Sequence, residues 1–351
     1  MPDVYKNVNV KYITPEDLEE QKKMLIGKEI LTKKEADLFL GYGYAKGRNT
    51  IMYYALKKDI DYLLFWDDDE YPVACVKDES DEEITWVKQD NILDTINYMK
   101  KADVALGHKC GYVSPIPYIE LKEDINEELF KDYIEAVSNE AISWEKIREQ
   151  LVKYHGFRYI SKSEIEEAKV KEIEFDGIGK WVLGSPLCLN LTHLDKIPSF
   201  YNPEGARGED AFFSTWLENS KVIEMPVYHF HDAFLKYTNI LNEKYPKKLR
   251  KIKMEDEQTT ERFIKASIGW IRYKPLFIYL TDRKNYNEKI DQIREKLKIS
   301  IPEVNKLFEN SDLNILLPEL EKFNSSVKKD YEDYIKTNEA WEKVKKAMTE
   351  K

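Results

Sequence analysis

The chain has 351 residues, of which 42% are hydrophobic and 34% charged, so it is long enough for a large globular domain with an extension. Its net charge of −10 argues against non-specific binding to nucleic acid, which needs a surplus of Lys and Arg facing phosphate. No run approaches the roughly 18 apolar residues of a membrane-spanning helix, and the first 14 residues contain no apolar signal region. The three cysteines form no C-x-x-C pair, so we expect neither a disulfide framework nor a zinc site, and we expect a cytoplasmic protein.

The first third of the chain alternates predicted strands and helices. Residues 8–13 (VNVKYI) alternate and are β-branched, which predicts a strand. Thr14 and Pro15 then predict a helix start, because threonine can cap a helix and proline fits its first turn. The pattern further predicts a helix over 47–56 and a strand over 61–66 (DYLLFW), whose continuous apolar run is typical of a strand buried on both faces of a parallel sheet.

The rest of the chain predicts an α/β sheet followed by a helical extension. The predicted elements are a helix over 91–101, a strand over 104–107, a strand-like stretch over 181–191, a helix over 208–218 and a strand over 221–228. Residues 120–172 are charged and mostly helical in period, which predicts an insertion over one edge of the sheet. Beyond 255 the chain becomes Lys/Glu-rich and helical. We therefore predict a catalytic domain over 1–254 and a helical region over 255–351.

The triple aspartate Asp67-Asp68-Asp69 follows the predicted strand over 61–66 directly. In an open parallel sheet, ligands bind beyond the carboxyl ends of the strands. Three adjacent carboxylates repel one another unless a cation neutralises them, and hard oxygen ligands suit Mg²⁺ or Mn²⁺. This favours a metal site over the alternative, which is a solvated acidic turn.

Three further features carry weaker signals. Arg48 and Asn49 follow Gly47 at a predicted helix start, where free N–H groups attract anions. Glu209 and Asp210 stand at a second helix start, where a carboxylate can serve as a helix cap or as a general base. His229 and His231 alternate at a strand end, so both can face one site and complete the ligands of a divalent ion, or simply be polar residues there.

In type and order, these four features resemble the motifs of GT-A glycosyltransferases, especially the family 2-like inverting group. The Gly-x-Ala-x-Ala-Arg-Asn pattern of that family is similar to residues 43–49 (GYAKGRN), and its Asp-x-Asp strand to LLFW before Asp67. Its glycine-containing loop resembles 183–187 (LGSPL), and its Glu-Asp helix start resembles 207–210 (RGED). The resemblance covers roughly residues 8–235.

The resemblance implies a GT-A type, Rossmann-like mixed sheet flanked by helices, and a hexosyltransferase that uses a UDP- or GDP-sugar with Mn²⁺ or Mg²⁺. It implies Asp210 as the base that deprotonates the acceptor hydroxyl, with inversion, and Glu209 as the residue that orients the acceptor. Residues implied to contact the nucleotide are Arg48, Asn49, Asp67, Asp68 and Gly184; those implied to bind metal or diphosphate are Asp67, Asp69, His229 and His231. The family also opens with a nucleotide-binding strand before the Arg-Asn helix, for which residues 8–13 are the clear candidate here.

Two alternatives use the same residues. The aspartates can serve a two-metal phosphoester hydrolase, which requires further carboxylates nearby. The chain can also be a non-catalytic binding protein that keeps a degenerate transferase fold.

Overall fold

The computed structural model describes residues 9–112, 116, 118, 126–138, 144–152, 155–253 and 257–350. The helices are α1 (Pro15–Gly27), α2 (Lys33–Phe39), α3 (Tyr44–Lys57), α4 (Asn91–Met99), α5 (Glu127–Val137), α6 (Trp144–Val152), α7 (Lys162–Glu167), α8 (Glu209–Ser214), α9 (Glu257–Thr281), α10 (Tyr286–Leu307) and α11 (Leu316–Thr349). The strands are β1 (Tyr62–Phe65), β2 (Glu70–Tyr71), β3 (Val73–Val76), β4 (Thr85–Lys88), β5 (Val104–Tyr112), β6 (Phe157–Arg158), β7 (Lys171–Glu172), β8 (Leu187–Asn190) and β9 (Val222–His231).

The N-terminal part is helical up to β1. Residue 8 lies outside the described residues, and residues 9–13 form no strand, so the strand predicted over 8–13 is wrong for the part that is described. An alternating segment becomes a strand only when another strand pairs with it, and within the described part of the chain no strand pairs with residues 9–13. The predicted helix start is confirmed: Thr14 caps α1, and it exchanges hydrogen bonds with Asp17 in a capping box.

The main sheet has the strand order β1-β8-β5-β9-β2, with β6 paired to β5 and β7 paired to β9. β8 is antiparallel to both β1 and β5, whereas β5 and β9 are parallel. The expectation that the aspartate strand is buried on both faces in a parallel sheet is therefore wrong. β1 lies at one edge of the main sheet and has an antiparallel partner. Only Phe65 of this strand is buried.

The strands β5 and β9 extend further than predicted, and their extended ends carry Lys109 and His231. Their parallel pairing continues to Gly111 and His231. Since β1 and β5 are both antiparallel to β8, the strands β1, β5 and β9 run in one direction, and their carboxyl ends meet at one edge of the sheet. The sheet with its flanking helices confirms a mixed α/β architecture.

The segment predicted as a helical insertion is only partly helical. Its described parts contain α5, α6 and α7, but also β6 and β7, which pair with β5 and β9. It therefore widens the sheet as well as covering it. α5 packs against α10 of the C-terminal region, where Lys296 forms ion pairs with Asp132 and Glu135.

The predicted helical C-terminal region is confirmed as α9, α10 and α11. Trp341 of α11 is fully buried, stacks on Phe39 of α2 at 5.5 Å and donates a hydrogen bond to the carbonyl oxygen of Ile197. Trp341 and Val344 belong to the same apolar core as α2 and α3, so this core spans the proposed boundary at residue 254. Among the described residues, no helix has the length and apolar character needed to cross a membrane.

Candidate active site

The triple aspartate forms the loop between β1 and β2, at the edge where the carboxyl ends of β1, β5 and β9 meet. The three side chains have different surroundings. Asp68 is exposed, the side chain of Asp67 is 44% exposed, and that of Asp69 is only 15% exposed. β2 follows at once and pairs Glu70 with His231 of β9, so the loop is fixed at both ends by strands.

A buried charge cluster lies beneath this loop. The fully buried carboxylate of Glu70 contacts Lys109 of β5, with its Oε1 atom 2.5 Å from the lysine Nζ. Its Oε2 atom accepts a hydrogen bond from Ser185 Oγ at 2.8 Å and lies 3.1 Å from His229 Nδ1. Burial would raise the pKa of Glu70, but the contacts with His229 and Lys109 more than offset this and lower it. Lys109 also reaches up to Asp67, with an Nζ to Oδ2 distance of 3.4 Å.

The second acidic contact joins Asp69 to His231 and Arg262. His231 Nε2 lies 3.6 Å from Asp69 Oδ1, and Arg262 Nη2 of α9 lies 3.4 Å from Asp69 Oδ2. Partial burial would raise the pKa of Asp69, but the interactions with His231 and Arg262 lower it to about 2. Asp69 is therefore ionised throughout the physiological pH range.

The imidazole of His231 is oriented by the strand β5. Its Nδ1 atom lies 2.5 Å from the carbonyl oxygen of Tyr112, which can only accept, so Nδ1 carries the proton and donates. Nε2 is then the ring nitrogen that faces Asp69. A backbone carbonyl that fixes the tautomer in this way is the usual support for a histidine that binds a metal.

The two histidines differ in accessibility although they alternate on β9. His229 is buried beside Glu70, and its ring lies 4.4 Å from that of Trp66. Its observed contact is thus with the carboxylate of Glu70, whereas His231 reaches the aspartate loop. A role of His229 at the metal stays a prediction.

The other half of the site joins α3 to the start of α8. Arg48 Nε donates to Glu209 Oε1 at 3.3 Å, and the guanidinium lies over the rings of Phe65 and Phe200. Gly184 permits this approach, because a Cβ atom there would lie 2.7 Å from Arg48 Nη2. The predicted Arg48, Gly184 and Glu209 are therefore in direct contact.

The buried Glu209 and the partly buried Asp210 form an acidic pair at the start of α8. Burial, followed by the neighbouring Asp210, raises the pKa of Glu209 to about 7 despite the opposing charge of Arg48. Burial also raises the pKa of Asp210, while the backbone N–H of Ala211 donates to Asp210 Oδ1 at 2.9 Å and opposes that rise. A carboxyl group with a raised pKa is a better proton acceptor than an ordinary one when it is ionised.

The structure changes the interpretation of the helix before β1. α3 begins at Tyr44 with Gly43 as its cap, so the prediction that Gly47 opens this helix is wrong. The N–H of Gly47 already donates to the carbonyl oxygen of Gly43 and is not free for an anion. The amide of Asn49 is buried and bonds both to the N–H and to the carbonyl oxygen of Phe200, which is a structural contact that occupies both ends of the amide.

The two halves of the site are connected through Ser185. The N–H of Asp67 donates to Ser185 Oγ at 3.0 Å, and Ser185 follows Gly184 directly. The fold thus brings together the aspartate loop, Arg48, the glycine loop, the Glu-Asp helix start and His231, which are separated by up to 183 residues in the sequence.

Sequence reasoning missed Glu70, Lys109, Ser185 and Arg262. A lysine within the otherwise mostly apolar strand β5 is a signal that could have indicated Lys109. Nothing in the local sequence indicates Arg262, which lies 193 residues from Asp69.

The described residues contain no group of three or more His, Cys, Asp and Glu side chains arranged to hold a metal ion. Among these side chains, Asp69 supplies one ionised carboxylate, and His231 Nε2 lies beside it. A Mg²⁺ ion is usually held by one or two protein ligands, with phosphate oxygens and water completing its octahedron.

The chain matches no model of a known protein family, and no curated protein and no solved structure is significantly similar to it.

Proposed function

We propose that this chain is a metal-dependent glycosyltransferase that moves a sugar from a UDP- or GDP-sugar to an acceptor hydroxyl, with inversion. The observation that carries the proposal is the meeting of Arg48, Asp67, Gly184 and Glu209 with the Asp69–His231 pair through one continuous set of contacts. The sequence motifs that resemble a GT-A transferase converge in space, as residues with a shared task should.

On the donor side, the aspartate loop and its cations match a diphosphate. Asp69 and His231 are the residues that would hold Mn²⁺ or Mg²⁺, and a bound ion of this kind neutralises the charge that develops on the departing nucleoside diphosphate. Lys109 and Arg262 place two permanent positive charges beside the same loop. The half-exposed Asp67 and the exposed Asp68 would contact the nucleotide.

On the acceptor side, Asp210 takes the proton from the acceptor hydroxyl. The acceptor oxygen then forms its bond to the anomeric carbon as the carbon–oxygen bond to the diphosphate breaks, and the diphosphate leaves with that electron pair. Because burial raises the pKa of Asp210, its carboxylate is a stronger base than a solvated aspartate. The contact of Glu209 with Arg48 holds that carboxyl group in place beside the base.

The proposal includes a cytoplasmic location. Its support is that Cys75, Cys110 and Cys188 are all free and buried, which suits a reducing compartment.

The test is isothermal titration of the chain with UDP, GDP and their common sugar conjugates, each with Mn²⁺, with Mg²⁺ and with excess chelator. We expect binding of at least one nucleotide only when the metal is present. Absence of metal-dependent binding to every ligand would refute the transferase proposal. Metal-dependent release of phosphate from a simple aryl phosphate, without any sugar dependence, would favour the phosphoester hydrolase instead.

A further inference from the structure

Tyr44 is an exposed aromatic residue one helical turn before Arg48, which contacts Glu209. Its side chain is 51% exposed, although it lies in the first turn of α3, beside a buried core. Tyr44 and Arg48 are four residues apart in the helix, so they share one face and lie about 6 Å apart along its axis. The tyrosine therefore projects from the same face of the helix as the arginine that binds Glu209.

The aliphatic part of the Arg207 side chain packs against Gly269, and its guanidinium lies beside the ring of Tyr44. Its guanidinium carbon lies 5.6 Å from the centre of the Tyr44 ring, and Nη2 lies 3.4 Å from Tyr44 Oη. The N–H of Arg207 donates to the carbonyl oxygen of Gly269 in α9, where an added Cβ atom would lie 2.6 Å from Arg207 Cγ. The close packing on Gly269 fixes the direction of the side chain.

Arg207 and Arg48 differ in whether a carboxylate pairs with the guanidinium. Within the part of the chain that the structure describes, Arg207 has no carboxylate partner, whereas Arg48 is paired with Glu209. The two contacts, Tyr44 with Arg207 and Arg48 with Glu209, run side by side between α3 and the start of α8. The aromatic ring and the guanidinium thus come from the first turn of α3 and from the residue two positions before Glu209.

We infer that Tyr44 and Arg207 form a subsite for the saccharide ring of the acceptor. A sugar ring has one face of C–H groups and a rim of hydroxyl groups. The tyrosine ring offers a flat apolar surface for that face, and the guanidinium offers several fixed donors for the hydroxyl oxygens. Sites of this composition, apolar or aromatic with a few placed polar groups, are typical for small ligands.

The inference rests on the proposed function for the identity of the ligand as an acceptor. The exposed Leu183 supports the same placement, because it precedes Gly184, whose backbone adjoins Arg48 and Glu209.

The experiment is saturation-transfer NMR with the methyl α- and β-glycosides of glucose, galactose and mannose as probes. It compares the wild-type chain with the variants Tyr44→Ala, Tyr44→Phe and Arg207→Ala. Tyr12→Ala is the matched control, since Tyr12 is 82% exposed and precedes α1, away from the start of α3. Thermal melting of each variant verifies that it is folded.

We expect at least one methyl glycoside to give a signal with the wild type, with Tyr12→Ala and with Tyr44→Phe. The signal should fall about fivefold or more in Tyr44→Ala and in Arg207→Ala. Absence of a signal from all six glycosides with the wild type, or an unchanged signal in Tyr44→Ala, overturns the inference.

The transferase proposal and the acceptor subsite can be refuted independently of each other. Nucleotide binding with Mn²⁺, measured on the same samples, is expected to be unchanged in Tyr44→Ala. Nucleotide binding without any glycoside signal removes only the acceptor subsite. A glycoside signal that depends on Tyr44, in a chain without nucleotide affinity, removes the transferase and leaves a saccharide-binding surface.

Discussion

The aspartate corner around Asp69 and the glutamate corner around Glu209 have nearly the same burial but opposite pKa shifts. The side chain of Asp69 is 15% exposed and that of Glu209 is 10% exposed. The pKa of Asp69 is nevertheless lowered to about 2, and that of Glu209 is raised to about 7. Asp69 contacts the imidazole of His231 and the guanidinium of Arg262, whereas Glu209 has one arginine and an acidic neighbour.

Burial is the largest influence on both groups and raises both pKa values. At Asp69 the contacts with His231 and Arg262 outweigh it, whereas at Glu209 the neighbouring Asp210 adds to it and Arg48 does not outweigh it. Two carboxyl groups whose surroundings separate their pKa values are the usual arrangement when one stabilises charge and the other exchanges protons. The aspartate corner is suited to a fixed negative charge that holds a cation. The glutamate corner is suited to proton transfer near neutral pH.

The largest effect is expected from removing the fixed charge. Asp69→Ala should weaken Mn²⁺-dependent binding of the nucleoside diphosphate on the order of 10³-fold or more, because the carboxylate is a direct ligand in the proposed site. Isothermal titration measures this loss. Asp195→Ala, which removes an exposed aspartate with a side chain 76% exposed, is the control and should bind normally. Normal affinity in Asp69→Ala would exclude the aspartate corner as the metal site.

The next largest effect is expected from Asp210→Asn, which should affect transfer but not nucleotide binding. Asp210→Asn should leave nucleotide binding intact and reduce transfer by roughly 10²- to 10³-fold, because an amide cannot accept the hydroxyl proton. Steady-state transfer assays and titration on the same sample test both parts. Normal turnover in Asp210→Asn would exclude Asp210 as the base and favour a mechanism with retention.

A third prediction concerns the buried pair beneath the aspartate corner. Lys109→Met should lower the free energy of unfolding by about 3 kcal/mol, because it leaves the buried carboxylate of Glu70 without its lysine partner. Chemical denaturation measures the loss, and the double variant Lys109→Met/Glu70→Gln should recover part of it. If the two substitutions prove additive, the pair makes no cooperative contribution.

The smallest effect is a pH dependence of stability that arises at the glutamate corner. In the unfolded chain Glu209 ionises near 4.5, but in the folded chain its pKa is about 7. Between these pH values the folded state binds more protons, so this group lowers stability as the pH rises. Relative to the wild type, Glu209→Gln should gain about 2 kcal/mol between pH 5 and pH 8.

Melting temperatures of both proteins across this pH range provide the measurement, and the difference between them removes the contributions of all other groups. A constant difference would show that Glu209 has an ordinary pKa. At the other corner, Asp69→Asn should destabilise the protein fully above about pH 4, and this loss should shrink as the pH falls toward 2, where the folded aspartate is protonated as well.

Local chemistry was sufficient for several elements. The capping residue Thr14 and the apolar run before Asp67 predicted a helix start and a strand that the structure contains. The start of α8 at Glu209 also matches the prediction closely, since Gly208 adopts a left-handed conformation that ends the preceding segment. Where local hydrogen bonds or local composition decide the structure, the sequence was a reliable guide.

Pairing between distant segments could not be predicted in the same way. The alternating residues 9–13 lack a strand partner and remain irregular, while β1 finds an antiparallel partner that its apolar pattern did not indicate. Strand direction depends on which segments meet, and the side-chain pattern of one strand is compatible with several neighbours.

By itself, the sequence determined the acidic loop after a strand, the Glu-Asp helix start and the helical C-terminal region, because each depends on neighbouring residues. Only the tertiary structure decided which of these carboxyl groups is charged. Lys109 and Arg262 reach Asp67 and Asp69 from 42 and 193 residues away, and Glu209 is enclosed beside Asp210 by elements from both halves of the chain. The pKa of a carboxyl group is set by the charges within a few ångströms of it, and folding alone brings those charges together.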